Sequence, residues 1–167
     1  MRVYLPATVG LLETLRDEGS MPVRSGWGFA VTDALRAFYT EGDDEEIAHA
    51  AFQDAAEASL RLLAIGDTPY PYRRAVVSAD VADEALTPVP ANGESVVRVD
   101  PPQIELDDVA ALHVDVPSSE EATKRAIGAI DAADLGDEDA ELAVGDALDN
   151  FLAFYDPSEL PVLIELL

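Results

Sequence analysis

Residues Asp43–Ile65 read DDEEIAHAAFQDAAEASLRLLAI. Ile47, Ala51, Ala55, Ala58, Leu62 and Ile65 recur at three- and four-residue spacing, which predicts an α-helix of about six turns with one apolar stripe. Asp43 is suited to the N-cap, Glu46 completes a capping box, and four consecutive acids face the positive end of the helix dipole. Gly66 and Pro69 supply the stop. A helix this rich in alanine can approach a sheet closely, so the remaining elements are read as packing around it.

Upstream, Arg2–Ala7 (RVYLPA) alternates and reads as a strand, and Thr8 caps a helix over Val9–Asp17 that Gly19 ends. Trp27 follows between Gly26 and Gly28, then a short strand Phe29–Val31 and a helix Ala34–Tyr39 capped by Thr32. Downstream, the connector Asp67–Tyr72 is too short for a flexible interdomain linker, so residues 1–167 are read as one domain. Strands are expected at Arg74–Val81 and Ser95–Val99, paired through the turn-like Pro90–Gly93, and at Leu112–Val116. Ser118 and Glu121 box a helix running to about Ala133. Gly136 breaks it, and Asp137 caps a last helix running to about Tyr155, with Val144, Leu148, Phe151, Leu152 and Tyr155 as its buried stripe. The tail VLIELL is apolar enough to enter the core or to dock on a second copy.

This order gives an α+β class: a single domain with a mixed sheet of about five strands and helices mainly on one face. The alternative is a doubly wound α/β arrangement, because the first half alternates as βαβ units do.

Composition limits function more than it assigns it. Asp and Glu number 34 against nine arginines and the single lysine Lys124, a net charge of −24, while 49% of residues are apolar. A folded chain of this size exposes on the order of 8,000 Å², so the surface is strongly anionic. Nucleic acid backbones and anionic membranes require the opposite sign and are not expected as partners. A protein partner with a basic or apolar surface remains, as does a homodimer through the C-terminal tail; a self-repelling soluble coat and adaptation to salt explain the charge equally well. Cysteine is absent, which removes disulfides, thiolate metal sites and cysteine nucleophiles. The opening MRVYLPATVG lacks a signal-peptide pattern and no run is long enough to span a bilayer, so a cytoplasmic location is expected.

No nucleophile elbow, P-loop or zinc-protease motif occurs, so a non-enzymatic interaction protein without cofactor or metal is expected, the alternative being a small-molecule or anion-binding domain, enzymatic or not. The acids from Asp131 to Glu141 lack the alternating spacing of a calcium loop and read as a capped helix-to-helix turn. His113 shares a strand face with Asp115, a pairing expected to raise its pKa. Two candidate ligand sites stand out. Tyr70, Tyr72, Arg73 and Arg74 combine rings and cations suited to an anion, against the alternative of internal ion pairs. Thr8 and Thr32 would frame an anion-binding crevice if the first two strands were parallel, with Arg36 adding charge; otherwise both are plain helix caps.

The strings MRVYLPAT at 1–8, FAVTDALR at 29–36 and ADLGDED at 133–139 resemble a family of uncharacterised acidic proteins from high-GC Gram-positive bacteria. The resemblance implies a cytoplasmic bacterial protein of unassigned function, with no site residues to carry over.

Overall fold

The computed structural model describes residues 1–66 and 71–167. The first half runs β1 (Arg2–Ala7), α1 (Val9–Glu18), β2 (Ser20–Pro22), β3 (Trp27–Ala30), α2 (Asp33–Phe38) and α3 (Asp44–Ala64). The second runs β4 (Ala75–Asp80), β5 (Leu86–Pro88), β6 (Val96–Val99), β7 (Gln103–Glu105) and β8 (Val109–Asp115). It closes with α4 (Glu120–Asp134), α5 (Glu138–Leu148), β9 (Leu152–Tyr155) and α6 (Leu160–Leu166).

The α+β class holds, but the sheet is larger and more uniform than expected. Among the described residues, seven strands in the order β5-β6-β3-β1-β4-β8-β9 form one sheet, β2 and β7 form a second, and every pairing is antiparallel. A mixed sheet and a doubly wound topology are thereby replaced: β1 and β3 run in opposite directions, with Val3 opposite Ala30 and Tyr4 opposite Phe29. The turn at Pro90–Asn92 is a hairpin turn, but it joins β6 to β5, not to β4, since β4 lies between β1 and β8.

Period-two alternation puts Val3, Leu5, Ala75, Val77, Leu112 and Val114 on one face of the sheet, where they join Leu12 and Leu15 of α1, Leu160 and Leu163 of α6 and Ile104 of the small sheet. The opposite face presents Tyr4, Phe29 and Val76 to Leu35 of α2 and to Ile47, Ala51, Ala55 and Ala56 of α3. Helices therefore cover both faces. Beyond the sheet, Leu60 of α3 packs on Ala126 and Ile130 of α4 and Ala147 of α5.

Four of the capping signals operate as read, whereas the box expected from Ser118 and Glu121 does not form: Ser118 lies in a turn over Pro117–Ser119, and α4 starts after Ser119 with no side-chain cap. Asp43 and Glu46 make the reciprocal box that starts α3, Thr8 accepts from the Leu11 amide, Thr32 from Leu35, and Asp137 from Ala140. Gly28 has a packing reason: a Cβ there would lie 2.8 Å from Val3 Cγ2 and 3.0 Å from Leu5 Cδ2. One serine joins helix to sheet. Ser59 of α3 donates to the Ala7 carbonyl at 2.7 Å and accepts from the Ala75 amide at 2.9 Å, bridging the last register pair of β1 and β4.

The largest departure lies near the C-terminus. Helix α5 stops at Leu148, and Leu152–Tyr155 is a strand, with Leu112 opposite Tyr155 and Asp115 opposite Leu152. A short apolar run is ambiguous between helix and strand, and the aromatic composition of FLAFY fits a pleated surface once an edge such as β8 is available. The tail divides its faces: Leu160 and Leu163 are buried, while Val162 and Leu166 of α6 are exposed.

Candidate functional site

Antiparallel pairing separates the residues of the expected crevice. Thr8 follows the end of β1, whereas Thr32 follows the end of β3 beside the beginning of β1. At about 3.3 Å per residue the two threonines lie on the order of 20 Å apart. Thr8 is buried at the start of α1; Thr32 also donates its hydroxyl to the Glu94 carbonyl. Arg36 pairs at 2.7 Å with Asp44, at the start of α3.

The cationic segment turns inward. Tyr70 lies outside the described residues. The Tyr72 ring has the Lys124 ammonium of α4 5.8 Å from its centroid, and Arg73 Nε donates to Glu120 of the same helix at 2.8 Å. Arg74 is the largest of the fully buried side chains. Its Nε and Nη2 donate to the two oxygens of Asp115 at 2.9 and 2.8 Å, and its amide adds a third bond to that carboxylate at 2.9 Å. Nη2 also donates to the Asn150 carbonyl at 2.9 Å. A bidentate fork in a dry interior is the geometry that offsets burial of both charges. Internal ion pairing thus accounts for Arg73 and Arg74, and the Arg74 fork anchors the chain just before β9.

That anchoring shapes a groove the sequence did not reveal. Between α3 and the α5–β9 connection lies a cavity of about 510 Å³, lined by His49, Phe52, Gln53, Asp54, Glu57, Asp149, Asn150, Phe151 and Leu152, with Arg74 at its base. A second hollow of about 440 Å³ shares His49, Phe52 and Leu152 and continues over Tyr4, Ser78, His113 and Phe154. The residues at 49, 52, 53 and 56 fall on one flank of α3 by helical spacing. The floor is aromatic. The His49 and Phe52 rings stack at 6.1 Å, Phe52 meets His113 edge-on at 4.8 Å, and His113 meets Phe154 at 5.9 Å. Phe151 and Phe154 remain 70% and 65% exposed, an unusual expense of aromatic surface to water.

Electrostatically the groove is negative. Asp54, Glu57 and Asp149 line one part and Glu45 the other; Glu57 shares Arg61 at 3.6 Å, while Arg74 is neutralised by Asp115 and Arg2 by Asp80 at 2.6 Å. Burial pushes the Asp54 carboxyl up, against the opposing hydrogen bond that Ser95 Oγ donates at 2.6 Å.

Ser78 Oγ lies 2.9 Å from His113 Nε2, the separation of a nucleophile and its base. Burial, aided by the Arg2 charge, lowers the His113 pKa to about 4, the reverse of the expected rise, because Asp115 is committed to Arg74. A weak base and a buried hydroxyl make this a hydrogen bond between β4 and β8. Trp27 sits half-buried at the start of β3 with the Arg98 guanidinium 5.1 Å from its ring centroid. Among the described residues no group of acids and histidines is arranged to hold a metal ion, and no helix is long and apolar enough to cross a membrane.

Residues 1–164 match a family of unknown function, DUF6912, and the chain belongs to that family. No curated protein and no solved structure matches it.

Proposed function

We propose that this member of the DUF6912 family is a non-enzymatic, acidic interaction protein of the bacterial cytoplasm. It holds a cationic, partly apolar segment of a partner protein in the groove between α3 and β9. The observation that carries the reading is the combination at that groove of exposed aromatic surface, Phe151 and Phe154, with the carboxylates Asp54, Glu57 and Asp149. Aromatic anchors supply the desolvation energy of an interface, and an acidic rim selects the sign of the partner and speeds its approach. The arginines support it too: Arg2, Arg16, Arg36, Arg61, Arg73 and Arg74 each pair with a carboxylate of this chain, so the surplus negative charge faces outward.

Against the alternative of a small-molecule or anion site at the strand-to-helix junctions stands the placement of Thr8 and Thr32 near opposite ends of β1.

Fluorescence anisotropy tests the proposal with a labelled peptide of about nine residues alternating lysine and valine, long enough at about 3.3 Å per residue to span the groove, and its glutamate counterpart. The lysine peptide binds and the glutamate peptide does not. Phe151→Ala weakens binding by about tenfold, as loss of an aromatic anchor does, while Asp107→Asn with Asp108→Asn, outside the groove, leaves it nearly unchanged. Equal losses from both variants would mean that the whole acidic coat attracts the peptide, and the groove reading would fall.

A further inference from the structure

The two edges of the seven-stranded sheet differ in kind. Strand β5 is three residues long and carries Pro88, with Pro90 just beyond, so it is a poor template for another strand. Strand β9, Leu152–Tyr155, contains neither proline nor charge and is last in the strand order. An uncharged, aromatic edge is the kind that natural sheets ordinarily cover.

The register identifies which backbone groups of β9 are unclaimed. The Asp115 amide donates to the Arg74 carbonyl at 3.1 Å, so the backbone of Asp115 points toward β4. Backbone direction alternates along a strand, so Leu112 and Val114 turn toward β9, where Tyr155 and Ala153 stand opposite them. The amide and carbonyl groups of Leu152 and Phe154 therefore point away from the sheet. Their side chains lie on the groove face, in the same rows as Asp115 and His113.

We propose that β9 receives the partner segment as an added strand, paired through the backbone of Leu152 and Phe154, with alternate side chains entering the groove over His113 and Phe52. This deepens the reading above and rests on it. Charge selects the occupant. A second copy would bring two chains of net −24 together, with Asp149 and Asp156 flanking each strand, whereas a cationic segment meets those carboxylates favourably.

The test uses the same labelled lysine/valine peptide in two further forms, N-methylated on alternate residues in one or the other set. One form loses binding by about tenfold or more, as removal of ladder hydrogen bonds requires, and the other keeps it. In the protein, Phe154→Pro removes an outward amide and no bond to β8, so it lowers affinity while the melting temperature stays near that of Phe154→Ala. Should both methylated forms bind like the parent, the groove is a binding site but strand addition is wrong. If the unmodified peptide fails to bind, the functional reading itself fails. A dimer in sedimentation of the unliganded protein, dissolved by Phe154→Lys, would overturn the choice of a cationic partner over a second copy.

Discussion

Removing one hydroxyl at Ser59 should cost far more than its size implies. The side chain is fully buried on α3 and substitutes for a direct bond between Ala7 and Ala75, where β1 ends and β4 begins. Ser59→Ala leaves a buried carbonyl and a buried amide without partners, at about 1–3 kcal/mol each, for a loss of about 2–6 kcal/mol. Total stability for a domain of this length is on the order of 8–25 kcal/mol, so the variant still folds. The melting temperature falls by about 4–24 °C, at about 2–4 °C per kcal/mol for a chain of this size. Urea denaturation of the wild type, Ser59→Ala and the neighbouring control Ala58→Ser measures the energy, and hydrogen exchange at the Ala75 amide localises it. A loss below about 0.5 kcal/mol, with Ala75 still protected, would refute the reasoning. It would mean that the two strands close and bond directly, and that α3 is held by packing alone.

Two further outcomes follow from charge. His113 titrates near pH 4 when folded and near 6.5 when not, so the unfolded chain binds the extra proton between those values. Stability from this group is intact above pH 6.5 and declines as pH falls toward 4, by on the order of 2 kcal/mol after allowing for partial exposure of the ring. The difference in urea stability between wild type and His113→Gln, followed against pH, isolates the effect; a difference constant from pH 7 to 4.5 would contradict it. Net charge −24 spread over 8646 Å² is self-repelling, so melting temperature should climb as KCl is raised from about 0.05 to about 1 M and the screening length shrinks. A flat response would remove repulsion as a factor in stability.

The elements that the sequence disclosed are those specified within one or two turns of chain. Asp43 with Glu46, Thr8, Thr32 and Asp137 were legible as caps because donor and acceptor lie within three residues of each other. The apolar stripe of α3 was legible for the same reason, since its period is a property of the helix itself. The run FLAFY failed that test. Four or five apolar residues carry no decisive period, and they became β9 because β8 offered an edge after Asp149 and Asn150 had ended α5. The candidate cations failed in a different way: an arginine's partner is chosen by the fold, and Asp115 lies 41 residues from Arg74.

By itself the sequence determined the α+β class, the long capped helix and the anionic surface, each of which is a sum over local choices or composition. Only the tertiary structure decided the strand directions, the burial of Arg74 on Asp115 and the groove beside the outer edge of β9. The reason is physical. Strand pairing and ion pairing join groups far apart in the chain, and their energies are set by which surfaces meet and how completely water leaves between them.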